Sequence, residues 1–171
     1  FHNTGVAQEE FDAREGSGAV AKIVLPGVEA RAAEFERWLA PTARHPRARG
    51  DFLAASRANA SERTDLGLWA VYGNPDLPAP QPALERILNP GKRWTRDEVL
   101  ARTVGRFKTS TVRNLGQSAP YLHTGGARTL EEVVQFYQRT STLAREGALR
   151  NAPPEFFGMR LEASDVEPLV A

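Results

Sequence analysis

The chain has 171 residues, 41% apolar and 25% charged, which suits one globular domain with its own core and excludes a disordered segment. Its 22 basic and 21 acidic residues leave a net charge of +1, without the concentrated basic stripe of a nucleic-acid binder. It contains no cysteine, so disulfides, thiolate metal sites and cysteine nucleophiles are excluded, and no apolar run approaches the roughly 18 residues of a membrane span.

In chain order, residues 1–27 read as Gly-rich and irregular, with a short apolar stretch Ile23-Val24-Leu25 closed by Pro26-Gly27. The start, Phe1-His2-Asn3-Thr4-Gly5, has no methionine and no basic region and is not a signal peptide. Val28, Ala32, Phe35, Trp38 and Leu39 recur at helical spacing and predict a helix ending at Pro41, with a second short helix from Asp51 through Ala55. The densest basic stretch, Arg44, Arg47 and Arg49 around Pro46, reads as a solvated loop. A Pro-rich surface excursion follows over Asn74–Pro82, because a buried loop would strand its backbone polar groups. Three capping boxes predict helix starts: Thr95-Arg96-Asp97-Glu98, Thr129-Leu130-Glu131-Glu132 and Ser164-Asp165-Val166-Glu167. The chain stops inside the apolar run of that last helix, and both ends read as cut from something longer. Strand signals are thin, so the expected fold is mainly α with long loops, in a single domain over residues 1–171.

The residues offer little chemistry of a familiar protein-only kind. His2, His45 and His123 stand in no metal-binding spacing, and each reads first as a loop histidine. Glu131 and Glu132 diverge by about 100° on a helix and read as N-terminal charges, not as an acid–base pair. One cluster resists so plain a reading. Phe107-Lys108-Thr109-Ser110-Thr111-Val112-Arg113-Asn114-Leu115 leads into Ser118-Ala119-Pro120-Tyr121-Leu122-His123-Thr124-Gly125-Gly126. Such a loop can turn backbone oxygens to a hard cation such as calcium and cationic side chains to carboxylates. On the helix that follows, Tyr137 lies seven residues after Leu130 and four after Val133, on the apolar face, where spacing alone reads it as a core anchor.

Those two loop segments, together with Thr129-Leu-Glu-Glu-Val-Val-Gln-Phe-Tyr137-Gln-Arg139, resemble the signature of the bacterial di-haem cytochrome c peroxidases and their relatives. Phe1-His2-Asn3-Thr4-Gly5-Val6 and Asp65-Leu66-Gly67-Leu-Trp-Ala-Val71-Tyr-Gly73-Asn74-Pro75 resemble two further pieces of the same pattern, so that about half the chain is covered. The resemblance implies the C-terminal, cytochrome c-like haem domain of a periplasmic oxidoreductase that reduces or uses hydrogen peroxide. Its partners would be an N-terminal haem domain of the same protein and either a small redox protein or a protein substrate. Haem c would be attached through a motif outside this chain, and calcium would lie between the domains. Tyr137 stands where the family carries the second axial ligand of this haem, Met in the standard peroxidases and Tyr in relatives that mature a tryptophan-derived quinone. A phenolate is hard and anionic and favours ferric or higher iron, whereas a thioether favours ferrous iron. Met159, in a Phe-Phe-Gly-Met turn, is a poorer second choice.

By the same resemblance, the carbonyls of Ser118 and Pro120 bind calcium, Lys108 and Arg113 lie near haem and its propionates, and His123 orders the loop between the two sites. No residue of this chain is assigned a catalytic role. The chain departs from the pattern in longer segments at about 12–60 and 77–104, read as insertions, and in Ser110, where the family carries proline. Two other functions remain open at this point: a non-catalytic c-type electron-transfer domain and a haem-free helical interaction domain.

Overall fold

A computed structural model describes residues 1–39, 41–48, 64–79, 81–88, 91 and 94–171. The helix expected from Asp51 and the basic Arg49 lie outside the described residues. The architecture is mainly α, as expected, and consistent with a cytochrome c-like domain. Among the described residues there are no strands, only isolated bridges joining His2 to Phe107, Gly67 to Arg106 and Tyr121 to Ala127.

The first correction concerns residues 1–27, which hold two helices, α1 (Val6–Glu15) and α2 (Ala19–Lys22). The glycines that suggested irregularity act as punctuation: Gly5 (φ 95°) precedes α1 and Gly16 (φ 101°) ends it, conformations a side chain would strain. Asp12 on α1 accepts from the backbone N–H groups of Gly18 and Val20, at 3.0 and 2.8 Å, and so fixes the start of α2.

The helix expected over 28–39 is divided into α3 (Val28–Ala33) and α4 (Phe35–Trp38), with Glu34 out of helical geometry between them (φ −109°, ψ 40°). α5 (Leu68–Val71) places Leu68, Trp69 and Ala70 inside. The Pro-rich stretch is exposed at Pro75 and Pro78, but it is not purely a surface excursion: Asn74 is fully buried, and α6 (Gln81–Leu88) starts within it. Pro82 is compatible with that start because the first helical turn needs no N–H donor there. The Gln81 amide holds the turn by donating to the carbonyls of Val71 and Leu77 and accepting from Gly73 N–H.

α7 (Arg96–Thr103) begins with the expected capping box, reciprocal between Thr95 and Glu98. α8 (Leu130–Arg145) also starts where expected, with the Thr129 hydroxyl accepting from Glu132 N–H; the Glu132 carboxylate, however, reaches back to Arg128 N–H, one residue earlier than a box requires. α9 (Pro154–Gly158) opens on a proline, and α10 (Val166–Val170) ends the chain. The third box is displaced: Glu162 and Asp165 cap a short 3₁₀ turn over Ala163–Asp165, and α10 has no side-chain cap.

The described core is divided into three clusters. Leu25, Leu66, Trp69 and Val104 join Ala7 of α1; Leu68, Tyr72, Leu84 and Val99 join α5 to α6 and α7; Ala144, Leu149 and Phe156 join α8 to α9. Polar staples connect them. Gln8 donates to Ala148 O at 2.7 Å, and Arg150 donates to the carbonyls of Val20 and Ile23 at 2.9 and 3.1 Å. The Asn151 amide spans Leu100 O and Val104 O at 3.1 and 3.3 Å. Satisfying buried carbonyls in this way removes a desolvation cost that open backbone would carry.

Candidate functional site

The segment singled out in the sequence is an exposed loop held at both ends. At its start, His2 and Phe107 exchange backbone hydrogen bonds of 3.0 Å each, and the Phe107 ring lies on the His123 imidazole, with centroids 3.8 Å apart and planes tilted 23°. At its end, Tyr121 and Ala127 form a bridge, and the Tyr121 hydroxyl donates to Leu115 O at 2.6 Å. The His123 ring thus packs on the first anchor of the loop, although the residue as a whole stays accessible to solvent. Burial of its ring against Phe107 lowers the imidazole pKa, and the Asp65 carboxylate offsets this in part.

Between those anchors nearly every residue from Lys108 to Pro120 is exposed, with Leu115 half-buried. The structure places Ser118 and Pro120 on one turn, whose Ser118 hydroxyl donates to Asn114 O at 2.8 Å. Among the described residues, neither the Ser118 nor the Pro120 carbonyl accepts a hydrogen bond, so both oxygens are available to a cation. Lys108 and Arg113 are exposed and make no ion pair among the described residues. No cluster of three or more His, Asp or Glu side chains assembles there to hold a metal.

Tyr137 sits on the buried side of α8, at the edge of the third core cluster. Its ring makes edge-to-face contacts with Phe136 and Phe156, at centroid distances of 5.4 and 5.9 Å. Leu143, Ala152 and Met159 border the same cluster. Burial raises the phenol pKa, so the oxygen holds its proton at neutral pH in the absence of a neighbouring cation. Among the described residues nothing hydrogen-bonds to that hydroxyl. The side chain is half-buried and lines neither the cavity beside α1 and α8 nor the one beside α3, α6 and α7. One of those cavities, about 470 Å³, lies between α1, the loop over 122–128 and α8, bordered by Glu10, Leu122, Arg128, Phe136 and Arg139. Beside it Arg139 pairs with Glu9 at 2.8 Å and ties α8 to α1.

Sequence reasoning placed Tyr137 on the apolar face but missed its contact partner, Phe156. The signal was Pro153-Pro154 before a Phe-Phe pair, a helix start that turns an aromatic back toward α8. Met159, just after the short α9, packs against the same cluster as Tyr137.

A 38-residue stretch, 22% of the chain, is 53% identical to a cytochrome-c peroxidase, IdrP2, of Pseudomonas sp. (strain SCT). That stretch spans 10% of the relative's length. No protein-family profile matches the chain, and no solved structure matches it. The likeness to a cytochrome-c peroxidase is therefore confined to that stretch. With no cysteine present, these residues offer no thioether attachment for a haem.

Proposed function

We propose that this chain is the C-terminal haem domain of a periplasmic di-haem oxidoreductase that uses hydrogen peroxide, with Tyr137 as an axial ligand of its haem. The observation that carries the reading is the Tyr137 hydroxyl, a polar atom without a hydrogen-bond partner at the edge of an aromatic cluster on α8. Haem, when bound, supplies peroxide reduction and one-electron transfer. The chain's own residues orient and tune. Phe136 and Phe156 pack edge-to-face on the Tyr137 ring, whose hydroxyl would hold the haem iron as a phenolate. Ser118 and Pro120 would hold calcium through their carbonyls, and Lys108 and Arg113 would neutralise propionates from the exposed loop. The partners proposed are the N-terminal haem domain and an electron donor or protein substrate.

The test is an absorption and EPR comparison of the full-length protein with its Tyr137→Phe variant, alongside peroxide consumption. Ligation by Tyr137 requires the ferric spectrum to change in the variant. Identical spectra refute it. A normal spectrum with no consumption of peroxide assigns the domain to electron transfer alone.

A further inference from the structure

The cavity between α3, α6 and α7, about 1000 Å³, has a wall that is both aromatic and acidic. The Gln81 side chain, at the start of α6, bonds the residues on both sides of Tyr72, Val71 and Gly73. Glu85, four residues further along α6, therefore lies one turn on over the same face and borders the cavity beside Tyr72. Tyr72 is 9% exposed, and its ring lies against Trp94 with centroids 5.9 Å apart and planes tilted 34°. The Arg102 guanidinium covers the Trp94 ring at 5.0 Å and steadies that aromatic wall. Val28 and Val99 continue it with aliphatic surface.

The Tyr72 hydroxyl makes no hydrogen bond among the described residues. Burial, and after it the Glu85 carboxylate, raise the phenol pKa, while Arg31 offsets part of the rise. Such an influence falls off with distance, so the hydroxyl end of Tyr72 and the Glu85 carboxylate lie close together in the cavity wall. Glu85 and Glu29 are exposed to the cavity, and neither forms an ion pair among the described residues. Arg96 also borders it, but its guanidinium is directed elsewhere: Nη2 donates to Leu25 O at 2.7 Å, and Nη1 lies 3.7 Å from Asp97.

The lining thus combines two unpaired carboxylates, a phenol oxygen able to accept a hydrogen bond, and apolar walls. That charge balance disfavours an anion. A metal ion is disfavoured too, since no group of three or more His, Asp or Glu side chains assembles among the described residues. An alkylammonium matches what is present: the head is a compact donor for a carboxylate and a phenol oxygen, and the stem covers apolar surface. We propose that this cavity binds a small organic amine as its ammonium, with the head on Glu85 and the Tyr72 hydroxyl and the stem along Trp94, Val28 and Val99. The site shares no residue with Tyr137 or the loop over 107–126, so it stands without the haem reading.

Isothermal titration calorimetry on the full-length protein tests this with n-hexylammonium chloride as the probe. Two temperatures are used, so that a vanishing enthalpy at one does not hide binding. Hexylammonium is expected to saturate a single site, with 1-hexanol and sodium hexanoate, which share its stem, binding at least about tenfold more weakly. Glu85→Gln keeps the side-chain shape at an exposed position and weakens hexylammonium binding about tenfold. Tyr72→Phe keeps the ring against Trp94 without the hydroxyl and weakens it about fivefold. Absence of saturable binding at both temperatures overturns the proposal, as does an affinity unchanged in both variants. Hexanol binding as tightly as hexylammonium overturns it by showing an apolar groove with no demand for charge. Calcium chloride that displaces hexylammonium from wild type at equal ionic strength overturns it in favour of a metal site.

Discussion

Gly67→Ala is the substitution whose cost follows most directly from the geometry. Gly67 has φ 64° and ψ −130°, a combination open essentially to glycine alone, and an added Cβ would stand 2.3 Å from the Arg106 carbonyl oxygen. Forcing alanine into that conformation costs about 1–3 kcal/mol. The backbone must also move away from Arg106, which strains two hydrogen bonds of 2.9 Å each, Leu68 N–H to Arg106 O and Gly105 N–H to Leu66 O. Losing both adds about 2 kcal/mol, for a total of about 4 kcal/mol. The same shift reaches the candidate site, because the Phe107 ring lies 3.1 Å from the added atom and also stacks on the His123 imidazole. Urea denaturation followed through the buried Trp69 reads the first effect, and the imidazole NMR shifts of His123 read the second. A variant within about 0.5 kcal/mol of wild type, with unchanged His123 shifts, refutes the argument.

Phe136→Ala removes a ring that is 2% exposed and holds Tyr137 edge-on, and costs about 3–5 kcal/mol in urea denaturation. Thr95→Ala deletes one half of the reciprocal cap of α7 and costs about 1 kcal/mol, measured the same way. His123 gives a pH dependence of defined sign. Its folded pKa lies below the ordinary value of about 6.5, so the unfolded chain binds the proton more readily. The stabilising contribution is complete above about pH 6.5 and is lost as pH falls from there through the lower folded pKa. A His123→Asn variant flattens that part of the urea-midpoint profile; an unchanged slope removes His123 as its source.

The elements legible in the sequence were those whose signal is local. The Thr95–Glu98 box and the Thr129 cap mark α7 and α8 because a side chain three residues away decides the geometry. The loop over 107–126 and Tyr137 were legible for a related reason, since their spacing to the α8 cap is fixed. What escaped depends on residues far apart. α1 was hidden because the glycines around it pointed to irregular chain, while its burial rests on bonds from Gln8 to the 148–150 turn. The break at Glu34 has no sequence signal beside a continuous apolar spacing. Arg31 carries no signal of its own in the sequence; only the folded turn at Tyr72–Asn74 shows it buried on Trp69.

The exposed loop has a thermodynamic consequence of its own. Phe107 is bridged to the distant His2 and Tyr121 to the nearby Ala127, and Tyr121 additionally holds Leu115, so the ends of the loop have already lost much of their freedom on folding. Lys108, Arg113 and the Ser118 and Pro120 carbonyls are therefore presented on a backbone ordered beforehand. A cation or carboxylate that docks there pays little further ordering cost, which is the advantage of preorganisation. The contrast with the buried Arg31 is instructive: there two guanidinium nitrogens are occluded in the interior without a partner among the described residues, whereas at the loop water satisfies the same groups until something displaces it. Truncating Lys108 or Arg113 on the loop thus leaves the fold intact, while truncating Arg31 removes a group packed on Trp69 in the core.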